Sequence, residues 1–125
     1  IRDSLYIRNI PNDNLNWYRL LFQPGTNTTS SRVRIQRRVN NVTDNLGADL
    51  SIPTYPNGTE ITGHITHDGS TVTAWLSTGE TISAASTDLA SATGAGFASN
   101  NVGGQVTRSD LDNFKVTSIT NNPLP

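Results

Sequence analysis

Catalysis needs acids, bases or nucleophiles that converge, and this sequence offers few. Cysteine is absent, which removes thiolate nucleophiles, disulfides and Cys-based zinc sites. Only two glutamates occur, Glu60 and Glu80, each isolated beside turn residues. Asp110 and Asp112 stand two apart, so on a strand they would share a face and superficially resemble a glycosidase acid pair. No Ser/His/Asp order suggests nucleophilic work. His64 and His67 are three apart, which on a strand points them to opposite faces and makes a poor zinc pair. Asp44, Asn45, Asp110, Asp112 and Asn113 could lend oxygens to calcium, but Asx turns bonding their own backbone explain the same residues. The expectation is no catalytic residue, no metal, and no cofactor unless it is calcium.

Aromatic and arginine side chains make the sharper set. Period-two alternation puts Tyr18, Leu20 and Phe22 on one face of a strand and Trp17, Arg19 and Leu21 on the other. It puts Val33 and Ile35 inward with Arg32, Arg34 and Gln36 outward, and Val72, Ala74 and Leu76 inward with Thr73 and Trp75 outward. If these strands share a sheet, Trp17, Arg19, Arg34, Gln36, Thr73 and Trp75 form one outer face. Aromatic faces stack on sugar rings, and Arg or Gln can hold hydroxyls through planar hydrogen bonds. The same residues would serve equally as a subunit interface or as cation–π cover for an exposed sheet.

The elements that must position them are strands. Asn, Ser and Thr make 43 of 125 residues, β-branched types are plentiful, and only 15% of the chain is charged. Short alternating runs end at turn residues: Leu5–Ile10 before Pro11-Asn12-Asp13-Asn14, Asn16–Phe22 before Gln23-Pro24-Gly25, then Arg32–Arg37. Asn40-Asn41 and Asp44-Asn45 read as turns. Glu60–Thr66 and Thr71–Leu76 flank His67-Asp68-Gly69-Ser70, the strongest hairpin signal. Glu80–Ser83, Gly94–Ala98 and a closing Leu111–Thr120 complete the series, and Ala84–Thr93 has too few large apolar residues for more than a helical turn. The reading is all-β: one antiparallel β-sandwich domain over residues 1–125. The chain opens on Ile1 without Met or a signal-peptide pattern, which reads as a processed chain or the later part of a longer one.

The order Asn16–Phe22, Arg32–Arg37, Ile61–Ile65, Asp68–Leu76, Thr87-Asp88, Gly94-Ala95-Gly96-Phe97 and Ser109–Val116 resembles the later part of a concanavalin A-like (laminin-G-like) jelly roll. This is the fold type of many lectins and glucanases. The resemblance implies that opening strands lie before Ile1, and that Asp110-Leu111-Asp112-Asn113 introduces the last strand rather than performing catalysis. It implies close backbone packing at Gly94 and Gly96, and an edge left open where the opening strands are missing. Such domains occur in bacteriophage virion proteins and in secreted bacterial proteins, and the Cys-free, Met-free, Asn/Thr-rich composition matches the virion members. The expected function is therefore non-enzymatic: a capsid-decoration, fibre or tail-associated component of the virion. Its partners would be other virion subunits or copies of itself, with host-surface glycan as a further ligand. The alternative is a carbohydrate-binding module of an extracellular or cell-surface bacterial protein.

Other partners are disfavoured. The net charge is −1, whereas nucleic-acid binders usually carry a basic excess. Alternation also splits Arg32 and Arg34 from Arg37. No apolar stretch reaches membrane-spanning length, so no membrane insertion is expected. Asn-x-Ser/Thr sequons at Asn27, Asn41 and Asn57 are what this composition produces by chance.

Overall fold

A computed structural model describes residues 2–10, 13–23, 31–53, 55–56 and 59–100. Eight strands account for most of them: β1 (Arg2–Asn9), β2 (Trp17–Gln23), β3 (Ser31–Val39), β4 (Val42–Ile52), β5 (Gly63–His67), β6 (Thr71–Leu76), β7 (Thr81–Ala85) and β8 (Gly94–Asn100). There is no helix among the described residues, so Ala84–Thr93 contributes the end of β7 and a connecting turn. The strands form two antiparallel sheets, β4-β3-β2-β1-β8 and β5-β6-β7. The protein is an all-β sandwich.

Alternation builds the core. Tyr18 and Leu20 of β2, Val33 and Ile35 of β3, and Ile52 of β4 meet Val72, Ala74 and Leu76 of β6. Leu5, Ile7, Phe22, Leu46, Leu50, Ile61, Ile65 and Ile82 close around them. Burial alternates without a break along β6, as expected of a strand with one face on a core and one on solvent.

The chain runs as a four-strand meander, crosses over residues 53–62, makes a three-strand meander, and returns as β8 beside β1. β8 thus takes the edge of β1 that the missing-strand expectation left open. The turn at Asp68-Gly69-Ser70 forms as expected, with Gly69 at φ +102° and the Asp68 carboxylate accepting from the Ser70 and Thr71 amides.

One strand differs from the sequence expectation. Asp44-Asn45, read as a turn, lies inside the eleven-residue β4. The turn is Asn40-Asn41 alone, with both residues at positive φ (+49° and +69°) and Val39 paired to Val42. That is the mirror-image two-residue turn whose twist matches a hairpin, and it forces the polar segment after it into the ladder beside β3. Among the described strands β4 forms one edge of its sheet. Its Asp, Asn and Ser residues and the register shift opposite Val33/Ile35 suit an edge that must resist pairing with other chains.

Gly94 does permit a close approach, but within the sheet: a Cβ there would lie 2.6 Å from the Asn9 carbonyl oxygen. Among the described residues nothing lies within 4 Å of a Cβ built at Gly96. The expected closing strand Leu111–Thr120 lies outside the described residues, as do the sequon asparagines Asn27 and Asn57.

Candidate functional site

The six residues expected on one face occupy two. Trp17, Arg19, Arg34 and Gln36 lie on the outer face of the five-stranded sheet, while Thr73 and Trp75 lie on the outer face of the three-stranded sheet. In a sandwich the two outer faces point in opposite directions. The strands that alternation paired therefore cannot combine their outward residues.

The wide face is a set of cross-strand rows. Register aligns Tyr6 of β1, Arg19 of β2, Gln36 of β3 and Asn45 of β4. Arg19 donates to the Tyr6 hydroxyl (3.2 Å) and to Gln36 Oε1 (2.7 Å), and Gln36 Nε2 donates to Asn45 Oδ1 (2.8 Å). In the next row Arg38 donates to Thr43 Oγ1 and to the Asn14 carbonyl. Arg34 grips Asp49 with two donors, Arg32 lies 3.7 Å away, and these hydrogen bonds and charges hold the Asp49 carboxyl below its usual range.

Trp17 is not an open stacking platform. It is 4% exposed, with the Arg19 guanidinium 4.8 Å and the Arg38 guanidinium 5.6 Å from its ring centroid and Tyr6 edge-on at 5.3 Å. Its indole N–H is taken by Asn14 Oδ1. Gln36 is buried as well. Of the weighed alternatives, cation–π cover describes Trp17 best.

The narrow face is partly exposed: His64 and Ser83 are exposed, while Thr66, Thr73 and Trp75 are half-buried. Trp75 and His64, opposite each other on β6 and β5, stack with ring centroids 4.8 Å apart and planes 4° off parallel. Thr66, Thr73 and Ser83 form the adjacent row. Here an aromatic pair stands beside hydroxyls on a surface that is only partly accessible. No known protein family, curated protein or solved structure matches the chain.

A third group lies between the sheets, where sequence reasoning did not look. Tyr18 is fully buried. Its hydroxyl donates to the Asp88 carbonyl (2.6 Å) and lies 2.6 Å from Ser86 Oγ. A hydroxyl has one proton to give, so Ser86 must be the donor in that second contact. Burial pushes the Tyr18 phenol above its ordinary value of 10.0, although the Ser86 hydrogen bond pulls the other way. Arg37, facing opposite to Arg34 as alternation requires, bridges Asp44 (3.0 Å) and Asp88 (2.9 Å), and the Asp44 hydrogen bond strengthens its hold on the proton. Buried His67 rests against Tyr18 at 4.8 Å and receives Arg8. Arg8 escaped detection because alternation places it outward with Tyr6. A bulge between Ile7 and Asn9 reverses it.

His64 and His67 do point to opposite faces, exposed and buried respectively. No three acidic or histidine side chains converge among the described residues. Asp110, Asp112 and Asn113 lie outside them. Beside the buried group a shallow depression of about 300 Å³ is lined by Ile10, Leu89, Ser91, Ala92 and Thr93.

Proposed function

We propose that this chain is a non-enzymatic structural module of a bacteriophage virion, acting by contact with neighbouring subunits in a capsid-decoration, fibre or tail position. The observation that carries the reading is the lateral bracing of the wide sheet. The Tyr6–Arg19–Gln36–Asn45 row adds side-chain hydrogen bonds across four strands already joined through their backbones. Such bracing suits a part that must keep its shape rather than open and close around a substrate. Contact chemistry is available at the β3–β4 hairpin tip. There Leu15 and Val42 are 44% and 61% exposed, and Asn41 bonds the Leu15 carbonyl. The composition and the jelly-roll resemblance supply the virion context, which rests on analogy.

The test is native mass spectrometry of the purified chain and of the assembly that contains it. A defined oligomer or particle-bound species that is lost in Leu15→Asp/Val42→Asp is the expected result. A monomer that never joins an assembly would overturn the proposal.

A second reading, a carbohydrate-binding module, is favoured by the stacked pair of half-buried Trp75 and exposed His64 beside Thr66, Thr73 and Ser83. It requires glycan binding that Trp75→Ala abolishes with the fold retained. Binding that survives in that variant would remove this face from consideration.

A further inference from the structure

Arg8 sits at φ +57° in the β1 bulge, a left-handed conformation that residues with a Cβ adopt only when something holds them there. What holds it is a three-pronged grip. Its guanidinium donates to the His67 carbonyl (3.0 Å), to His67 Nδ1 (3.2 Å) and to the Ala92 carbonyl (3.1 Å). The other ring nitrogen of His67, Nε2, lies 2.7 Å from the Ser86 carbonyl oxygen. A carbonyl can only accept, so Nε2 carries the proton. Nδ1 must then present a lone pair to the Arg8 Nε–H. One neutral tautomer satisfies both contacts, and His67 is only 3% exposed.

We propose that Arg8 and His67 form an acid-released clasp between the two sheets. A proton at Nδ1 removes the acceptor and sets two cationic N–H groups against each other across 3.2 Å. Arg8 then lets go of β5 and of the 86–93 connector, and the end of the sandwich around Ile10, Leu89 and Ala92 loosens.

The other groups facing His67 do not rescue a charged ring. Tyr18 on β2 presents a phenol that burial keeps neutral. Asp88 beyond β7 is already paired with Arg37 of β3. Asp68, next in the chain, attracts positive charge at His67. It lies on an exposed turn with Oδ1 engaged by Ser70 and Thr71, where solvent screens it, whereas Arg8 is in direct contact. Val72, the β6 partner of His67, is uncharged.

The sign follows from proton counting. In the clasp Nε2 holds the ring's proton and Nδ1 accepts from Arg8, so neither nitrogen has room for a second proton, whereas the imidazole of an unfolded chain is free to take one up in acid. Acidification therefore favours the released forms over the clasped one. The inference stands apart from the proposed function, since it concerns only contacts inside the sandwich.

The chain has only two histidines, which makes the test clean. Thermal unfolding and amide exchange are followed from about pH 8 to about pH 5, spanning the histidine range, for the wild type, His67→Gln and His64→Gln. Wild type and His64→Gln should lose thermal stability on acidification. In both, amide protection over residues 86–93 should drop about tenfold while β3 keeps its protection. His67→Gln, with a neutral side chain, should lose this pH dependence. A slope that persists in His67→Gln, or disappears in His64→Gln, overturns the clasp. Should His67→Gln fail to fold, imidazole nitrogen spectra of the wild type decide. The Nε2–H form at high pH, with 86–93 protection lost as His67 takes up a proton, supports the proposal. A doubly protonated His67 with that protection intact refutes it.

Discussion

Tyr18→Phe removes one oxygen from the centre of the sandwich. The side chain is fully buried, so the ring stays packed and the loss is confined to the hydroxyl. Two partners are stranded: the Asp88 carbonyl, which accepted at 2.6 Å, and the Ser86 hydroxyl, which donated over the same distance. A buried group left without its partner costs about 1–3 kcal/mol. Ser86 can turn towards Asp88 Oδ2, 3.4 Å away, and the Asp88 residue is exposed enough for its carbonyl to find water. The expected loss is therefore about 1–2 kcal/mol, or roughly 4–10 °C in melting temperature for a domain of this size. Urea denaturation of the wild type, Tyr18→Phe, Ser86→Ala and the double variant measures it. The two single losses should fail to add by about 0.5–1 kcal/mol, because both remove the same hydrogen bond. A Tyr18→Phe variant within about 0.5 kcal/mol of wild type, or strict additivity, would refute the reasoning.

The same phenol gives an alkaline limb. Its value is raised in the folded state, so its contribution is complete below pH about 10, where the unfolded phenol ionises, and declines as pH rises through the folded value; Tyr18→Phe should flatten that decline. Asp49 works in the opposite direction: Arg34 lowers its value, so the pair helps above the unfolded value of 3.8 and is lost as acid protonates the carboxyl. Because both partners are partly exposed, Asp49→Asn should cost less than about 1 kcal/mol, as read by denaturation at neutral pH. Asn40→Val places a β-branched residue at φ +49° and should destabilise by about 1–2 kcal/mol, whereas Asn41→Gly should be neutral or stabilising in the same assay. Trp17→Ala should cost about 3–5 kcal/mol and Trp75→Ala, whose ring is half-buried, about 1–2 kcal/mol; equal losses on chemical denaturation would contradict the assigned burial.

Alternation alone was enough to assign the core positions of β2, β3 and β6. Tyr18, Leu20, Val33, Ile35, Val72, Ala74 and Leu76 face inward as their spacing requires, because on a pleated strand the side-chain period is fixed at two whatever the neighbours do. The all-β class and the Asp68-Gly69 hairpin were equally legible, since turn chemistry is local. Partnership between strands was not. Alternation says which residues share a face of one strand and nothing about which sheet that strand joins. Trp17 and Trp75 therefore looked equivalent, yet lie on opposite sides of the sandwich. β4 was hidden by its Asp and Asn residues, and only the pairing imposed by the Asn40-Asn41 turn makes it a strand. Arg8 was hidden more deeply, because a one-residue bulge reverses a side chain without leaving a mark in the residue pattern. It is the tertiary structure that carries Arg8 inward to His67, 59 residues away in the chain, and the need of buried hydrogen-bonding groups for partners that holds it there.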